Sequence, residues 1–291
     1  MSRHYRLDAD LGSDRERVAC AVCGGREENE IGLDNGFRIV RCASSACGFV
    51  FVNPRPSPGQ LKRLYEDYYP DGDETPDAWR GEMAGIFDEC RDLLLAQALE
   101  GRVLDVGCSF GHLLAEMVSL GWNGTGVEPS PVAAGIARQG SGAIILEGLL
   151  EEVDLQDEAF DAVVALYVLE HVADPRGFLQ EVHRLLVDEG LAIVRVPHAA
   201  PLMGMARLLG RPLLQAPMHL NDFSPRSLGR LARDVGFQRF EARIGRVRRS
   251  SDLVERLGAQ TLGGTARIVE RLTSGRLLLP WSGAKTYLLW K

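Results

Sequence analysis

The sequence has no long uninterrupted hydrophobic run and no apolar leader. No stretch approaches the ~18 consecutive apolar residues that a membrane-spanning helix requires, and residues 1–6 are mostly polar. These absences argue against a membrane-embedded chain and against a secretory signal. We therefore expect a cytoplasmic protein with no membrane partner.

The sequence also lacks a complete dinucleotide-binding fingerprint. A G-x-G-x-x-G pattern that begins at Gly107 would need glycine at the positions of Ser109 and His112. A bound pyrophosphate is therefore not favoured. The first 70 residues lack a basic excess, with 10 Arg and Lys against 10 Asp and Glu, so they do not form the basic patch typical of RNA-binding modules.

The length and composition suit an enzyme-sized globular chain. The 291 residues are 45% hydrophobic, which allows one large or two unequal domains with a full core. The net charge of −7 is unevenly spread, because residues 200–291 carry 16 Arg and Lys against 6 Asp and Glu.

The most informative stretch is residues 103–120. Four residues that mostly favour strands precede a loop bounded by Gly107 and Gly111, and an apolar-periodic helix follows. Glycines let the backbone approach a ligand, and the N–H groups at the helix start favour an anionic group. The pattern predicts a cofactor cradle; the alternative is a tight turn in a parallel-sheet protein without a ligand.

Further strands and helices alternate up to residue 196. Glu128 closes a strand at 125–127, where a carboxylate suits two ribose hydroxyls. The apolar run Phe160–Leu166 predicts a strand covered on both faces, and a helix from Pro175 is expected to end at Gly190. We predict an α/β fold with five parallel strands and a ligand above their carboxyl ends.

These motifs resemble a known family. The segment Asp105-Val106-Gly107-Cys108-x-x-Gly111 and the segment Val127-Glu128-Pro129-Ser130 resemble motifs I and II of class I S-adenosylmethionine (SAM)-dependent methyltransferases. Residues 160–171 match the family pattern F-D-x-V-x-x-x-x-V-L-E-H, whereas Ser109 stands where the family usually has glycine. The resemblance implies a Rossmann-like, seven-stranded, mostly parallel sheet. It also implies SAM contacts at Asp105, Gly107, Cys108, Gly111, Glu128, Pro129, Gly148, Leu149, Leu150, Leu166 and Tyr167.

Four of the six cysteines cluster near the start of the chain. Cys20 and Cys23 form a C-x2-C pair, Cys42 and Cys47 a C-x4-C pair, and a hairpin is expected between them. Four facing thiolates suit a tetrahedral Zn²⁺ in a closed, structural site. The alternatives are buried free thiols or a redox C-x-x-C.

The order of the segments divides the chain. We predict a zinc-binding module at 15–53, a linker and helical connector at 54–99, and a methyltransferase domain at 100–291, with 198–224 as an acceptor-side cap. This order resembles that of bacterial methyltransferases of sugar, polysaccharide and secondary-metabolite pathways. In the connector, Tyr65 and Tyr69 either close the cofactor pocket or pack the linker onto the core.

Methyl transfer to oxygen or carbon needs the loss of a proton from the acceptor, and histidine titrates near the working pH. His171, His198 and His219 map to the rim of the expected site, and we favour His219 as the base and His171 as a second catalytic residue. Related sugar C-methyltransferases have H-E-H where this chain has Pro217-Met218-His219. The alternative for each histidine is a hydrogen-bonded structural role.

The resemblance predicts methyl transfer from SAM to a small-molecule acceptor, a sugar or secondary metabolite, at oxygen. A basic run near the end of the chain has two interpretations. It binds an acceptor that carries a phosphate or is attached to a carrier protein, or it is a solvent-exposed face. The run consists of Arg239, Arg243, Arg246, Arg248 and Arg249. Two rival hypotheses are an RNA methyltransferase with a zinc module and a non-catalytic zinc-ribbon adaptor.

Overall fold

The structure is a computed structural model that describes residues 14–66, 75–97, 101–197, 199, 203–208, 210, 213–246 and 284–291. The strands in these residues are β1 (Arg15–Glu16), β2 (Glu28–Asp34), β3 (Phe37–Cys42), β4 (Val50–Val52), β5 (Arg55–Pro56), β6 (Arg102–Val106), β7 (Asn123–Glu128), β8 (Ile144–Glu147), β9 (Phe160–Leu166), β10 (Leu186–Pro197), β11 (Asn221–Asp222), β12 (Arg239–Ile244) and β13 (Ala284–Trp290). The helices are α1 (Pro58–Glu66), α2 (Pro76–Gln97), α3 (His112–Ser119), α4 (Pro131–Gly140), α5 (Pro175–Leu185), α6 (Met203–Leu208) and α7 (Pro225–Val235). Within the described residues, no helix combines the length and the apolar character needed to cross a membrane.

The central sheet has seven strands in the order β12-β13-β10-β9-β6-β7-β8. The strands from β6 to β10 are parallel to their neighbours in this group, whereas β13 runs antiparallel to both β10 and β12. The predicted seven-stranded, mostly parallel α/β sheet is therefore confirmed. The carboxyl ends of β6, β7 and β9 lie side by side, as the expected ligand position requires.

Apolar side chains cover both faces of this sheet. Alternate residues of β6 enter different clusters, with Leu104 and Val106 in one and Val103 in the other. Helices α5 and α7 supply the first cluster, and helices α2, α3 and α4 supply the second. The continuous apolar run of β9 is explained by this two-sided burial.

Short polar residues begin three of the helices as expected. Ser130, Asp174 and Ser224 each accept a backbone N–H from the first turn of α4, α5 and α7, and a proline follows each of them. The end of α5 differs from the prediction, because the helix ends at Leu185 rather than at Gly190. Leu186 already pairs with Phe160 of β9, and this tertiary contact ends the helix early.

A second sheet has the order β11-β4-β3-β2. The predicted hairpin joins β2 to β3 through Asn35 and Gly36, whose φ values of 49° and 76° suit a tight hairpin turn. Strand β11 comes from the predicted acceptor-side cap and pairs antiparallel with β4. The N-terminal sheet is therefore completed by a strand that follows the parallel strands in the chain.

Two side chains of the N-terminal hairpin, Asp34 and Asn35, form hydrogen bonds to the loop at 213–220. The Asp34 carboxylate accepts the backbone N–H groups of Leu214, Gln215 and Ala216 at 2.9, 2.6 and 3.1 Å. The Asn35 side-chain amide donates to the Ala216 carbonyl at 2.7 Å. The hairpin thus holds the loop that leads to Met218 and His219.

Candidate active site

The loop after β6 has the backbone shape that its glycines allow. Gly107 and Gly111 have φ values of 70° and 75°, in the left-handed region. A Cβ at Gly107 would lie 2.7 Å from Cγ2 of Val168, and one at Gly111 would lie 3.0 Å from two neighbouring side chains. Ser109 has φ 52°, so it adopts the conformation for which the related motif uses glycine.

Glu128 is held at the end of β7 by this loop. Its two carboxylate oxygens accept the backbone N–H groups of Ser109 and Ser130, both at 2.9 Å. Burial raises the pKa of Glu128, and the two amides oppose this effect. The carboxylate is thereby fixed beside the glycine loop with an orientation set by the backbone.

Asp105 in β6 and Cys108 in the loop are buried and do not line the cavity. Burial raises the pKa of Asp105 from 3.8 to about 8, with a smaller contribution from Glu128. Burial also raises the pKa of Cys108. Gly111 does not line the cavity either, so direct SAM contacts of these three residues remain predictions.

A cavity of about 420 Å³ lies above the carboxyl ends of the strands. Volumes of this order accommodate cofactor-sized or drug-sized ligands. Eight of the eleven predicted SAM-contacting residues line it: Gly107, Glu128, Pro129, Gly148, Leu149, Leu150, Leu166 and Tyr167. His171 and His219 line the same cavity, so one space joins the predicted donor residues and the predicted catalytic residues.

Tyr167 is held in a strained conformation at this cavity. Its φ of 60° is rare for a bulky side chain. The Tyr167 hydroxyl accepts a hydrogen bond from Nε of Arg195 at 3.0 Å, and Tyr167 N–H donates to the Arg195 carbonyl at 2.7 Å. Arg195 is fully buried and also pairs with Glu89 at 3.1 Å. The buried arginine therefore fixes the tyrosine.

The two histidines that line the cavity face each other. Their ring centroids are 4.8 Å apart and the rings are nearly perpendicular. Burial lowers the pKa of His171 to about 3, with a further contribution from His219, and lowers that of His219 to about 4. Both rings are therefore neutral near pH 7 and present a lone pair as acceptor.

Glu170 precedes His171 and is buried in the same place. Burial raises the pKa of Glu170 to about 8, partly offset by its own backbone N–H and by Arg195. Neither of its carboxyl oxygens accepts a hydrogen bond of normal geometry from the residues that the structure describes. Sequence reasoning missed this residue, although the motif that identified His171 contains it.

Sequence reasoning offered Tyr65 and Tyr69 of the connector as candidate walls of the pocket, but it missed the connector residues that the structure places there. Leu61 and Lys62 of α1 and Trp79 of α2 line the cavity, and no periodicity or motif in the sequence indicated this. His198 and Tyr69 lie outside the described residues, as does the side chain of Tyr65.

A family model described as a methyltransferase domain matches residues 79–241, more than half of the chain. The chain belongs to this methyltransferase family. The match includes the glycine loop, Glu128 and both cavity histidines, and family membership makes the protein a SAM-dependent methyltransferase.

Curated relatives and solved structures agree with this assignment. The methyltransferase is similar to proteins named ubiquinone biosynthesis O-methyltransferase. For the one from Ruegeria pomeroyi, identity is 32% over 54% of this chain and 67% of the relative. For that from Maricaulis maris, identity is 39% over 32% of this chain and 39% of the relative. For that from Pseudomonas aeruginosa, identity is 31% over 47% of this chain and 64% of the relative. The methyltransferase thus spans between 39 and 67% of these relatives.

The fold has solved counterparts. A structure described as a complex between the Trm112 methyltransferase activator and the putative methyltransferase of Haloferax volcanii aligns with a TM-score of 0.54 at 17% identity, over 79% of this chain and 96% of that one. A SAM-dependent methyltransferase of Thermotoga maritima, described as a possible histamine N-methyltransferase, aligns with a TM-score of 0.50 at 19% identity, over 79% and 98% of the two chains. At this identity the likeness shows the fold alone.

The four N-terminal cysteines of the methyltransferase meet in space. The Sγ atoms of Cys20 and Cys47 are 3.6 Å apart and those of Cys23 and Cys42 are 3.5 Å apart. Four sulfurs at ~2.3 Å from a tetrahedral Zn²⁺ lie roughly 3.8 Å from one another, whereas a disulfide would bring a pair to ~2.0 Å. The cluster therefore fits a bound metal ion better than a pair of disulfides.

The described arginines of the basic run are paired or stacked with other residues. Arg239 stacks on the Trp290 ring with 3.4 Å to its centroid, Arg243 pairs with Glu241, and Arg246 pairs with Asp92. None of these three arginines lines the cavity. Arg248 and Arg249 lie outside the described residues.

Proposed function

We propose that this methyltransferase transfers the methyl group of SAM to a hydroxyl oxygen of a small-molecule acceptor. The observation that carries the proposal is the shared cavity, which Gly107 and Glu128 line together with His171 and His219. We assign the first pair to the donor end of the cavity and the second pair to the acceptor end. Such a cavity can place the donor and the acceptor in line, and alignment is the main requirement of this displacement.

The donor end has the features that an adenosyl group needs. The Glu128 carboxylate, which two backbone amides already orient, would accept hydrogen bonds from the two ribose hydroxyls. The glycine loop would bring the backbone close to the amino-acid part of SAM, and Gly148, Leu149 and Leu150 would pack on the adenine. When bound, SAM supplies an activated methyl group on a positively charged sulfur.

At the acceptor end, we propose that His219 promotes the loss of the acceptor proton. Its ring is neutral near pH 7 because burial lowers its pKa to about 4, so it presents a lone pair to the cavity. His171 lies against it and would orient the acceptor. Positioned proton transfer of this kind typically contributes about 10²–10⁴-fold to the rate.

Oxygen is the proposed target because the relatives are named O-methyltransferases. A sugar or secondary metabolite as acceptor remains part of the proposal and rests on the order of motifs in the sequence. The arginines 239, 243 and 246 give no support to a phosphate-bearing or carrier-bound acceptor, since they are stacked or paired elsewhere. The residues that line the cavity give no specific support to the rival hypothesis of an RNA substrate.

We also propose that Cys20, Cys23, Cys42 and Cys47 hold a structural Zn²⁺. A four-sulfur site is closed and leaves no position for a substrate. The cluster packs in the same core as strands β6 and β9, so the ion would stabilise the fold at this point.

The proposal is tested by incubating the protein with isotopically labelled SAM and a panel of sugars, phenols and quinol precursors, followed by mass spectrometry for a methyl gain. We expect a methylated oxygen on at least one small molecule. His219→Ala should reduce turnover by about 10²-fold or more with nearly unchanged SAM affinity by calorimetry, whereas Glu128→Gln should weaken SAM binding. The absence of SAM binding by the wild-type protein would refute the proposal, and full activity of His219→Ala would refute the role of that histidine.

A further inference from the structure

Glu170, His171 and His219 form a second cluster of metal-ligand atoms. One carboxylate oxygen and one nitrogen from each ring all lie within 4.8 Å of one another. All three residues line the cavity. This cluster is separate from the four cysteines and has a different donor set, with two imidazoles and one carboxylate.

The backbone around this cluster fixes both rings. Nδ1 of His171 lies 2.7 Å from the Met218 carbonyl oxygen, so Nδ1 carries the proton and the lone pair is on Nε2. A ring nitrogen of His219 donates to the Leu214 carbonyl. Metal-binding histidines are typically oriented in this way, with one nitrogen anchored to a carbonyl and the other presented to the ion.

Within the part of the chain that the structure describes, Glu170 lacks the hydrogen-bond partners that a buried carboxyl group normally has. Glu170 is 1% exposed, and neither carboxyl oxygen accepts a hydrogen bond of normal geometry from the described residues. A buried polar group without a partner costs free energy, and a buried charge without a counter-charge costs much more. A cation between this carboxylate and the two rings would remove that cost.

We propose that Glu170, His171 and His219 bind one divalent first-row transition-metal cation, with its remaining positions open to the cavity. Imidazole nitrogens disfavour Ca²⁺ and Mg²⁺, which prefer oxygen ligands. Three protein ligands leave room for an exogenous oxygen, as in catalytic sites and unlike the closed cysteine site. The acceptor hydroxyl is the oxygen that this end of the cavity would present.

The inference rests on the proposed function and makes it more specific. A hydroxyl bound to a cation loses its proton more readily than a free one. The proton leaves to solvent water, the oxygen forms a bond to the methyl carbon, and the carbon–sulfur bond breaks to leave S-adenosylhomocysteine. In the metal-bound protein the His219 lone pair would coordinate the cation. His219 would then promote proton loss as a metal ligand, and it would not take the proton itself.

Mn²⁺ is the probe that separates the two clusters, because it is poorly matched to four thiolates. The full-length protein, with its zinc content measured, is titrated with Mn²⁺ while free Mn²⁺ is followed by electron paramagnetic resonance. We expect one Mn²⁺ per chain in the wild type. Glu170→Gln and His219→Ala should weaken binding at least tenfold, while Glu151→Gln, which changes an exposed carboxylate on the same cavity, should not.

Circular dichroism and SAM calorimetry on each variant show that it is folded. The inference is overturned if the folded wild type binds no Mn²⁺, or if Glu170→Gln and His219→Ala bind it as tightly as the wild type. Methyl transfer provides the second readout, with loss of activity on metal removal and recovery with Mn²⁺ expected. Full activity in metal-free protein would overturn the inference and leave the proposed function intact, whereas Mn²⁺ binding without methyl transfer to any acceptor would count against the proposed function alone.

Discussion

The carboxylate of Asp34 is the most informative single group to remove, because it connects the N-terminal hairpin to the active-site loop. It is buried and accepts three consecutive backbone N–H groups, those of residues 214–216. Asp34→Ala would leave these donors without their acceptor. His219 follows three residues after Ala216, and its backbone N–H donates to the Gln215 carbonyl at 3.3 Å.

The size of the effect follows from the number and type of these hydrogen bonds. A hydrogen bond to a charged group contributes about 1.5–3 kcal/mol, and three bonds to one carboxylate are not additive. We expect Asp34→Ala to destabilise the loop by about 3–5 kcal/mol, near the upper end of single-mutation effects. Asp34→Asn keeps one carbonyl oxygen as acceptor and should cost less.

Three measurements separate the effects of the substitution on the loop, on methyl transfer and on SAM binding. Hydrogen exchange detected by mass spectrometry should show faster exchange at residues 214–216 in Asp34→Ala. Methyl transfer should fall at least tenfold, while the dissociation constant for SAM should change little, because Glu128 is held by Ser109 and Ser130 and not by this loop.

Glu30→Gln is the matched control. Glu30 lies on the same strand as Asp34 and pairs with Arg38 at 2.7 Å, but it is exposed, and exposed ion pairs contribute about 0–1 kcal/mol. It should leave exchange at 214–216 and methyl transfer unchanged. Unchanged exchange at 214–216 in Asp34→Ala, or an equal effect of Glu30→Gln, would refute the coupling.

Three further predictions concern the glycine loop, the cysteines and a buried acid. Gly107→Ala introduces a Cβ 2.7 Å from a side chain, at a residue with φ 70°. This variant should bind SAM more than tenfold more weakly by calorimetry. Gly135→Ala, which has open space around the new Cβ, should bind SAM as the wild type does. Cys20→Ser should lower the zinc content measured by elemental analysis and should also lower the melting temperature. Cys90→Ala, outside the cluster, should have the zinc content of the wild type. Equal zinc contents in the two variants would contradict a zinc site at the four cysteines. Burial raises the pKa of Asp105 from 3.8 to about 8, so the folded state binds a proton that the unfolded state has lost, and the contribution of Asp105 to the free energy of unfolding should fall as pH rises from about 4 to 8. Asp105→Asn should show a shallower fall in denaturant titrations across this range, and parallel curves would show that Asp105 is not responsible.

The sequence was sufficient to predict the central sheet, because its signals are local. Apolar runs, glycine turns and Ser-Pro or Asp-Pro helix starts depend on neighbours along the chain, and β6, β7 and β9 follow them closely. The residues of the cavity were predictable where a motif existed, as for Gly107, Glu128 and His171.

The remaining features depend on contacts between distant parts of the chain. Strand β11 has two residues, which no periodicity can indicate, and it exists because β4 offers it an edge. Asp34 is polar and near a turn, so its sequence position suggests exposure, yet residues about 180 positions later bury it. Leu61 and Trp79 line the cavity through packing alone. The lack of a hydrogen-bond partner for Glu170 among the residues with a described structure is visible only in three dimensions.

The pairing of β4 with β11 has a consequence for how the chain is made. The ribosome releases the cysteine-containing segment first, but Asn221, which pairs with Phe51, is synthesised about 170 residues later. Until then the edge of β4 is open, and exposed edges of this kind favour pairing with other chains. We expect nascent chains stalled before residue 221 to aggregate or recruit chaperones, even when zinc is plentiful.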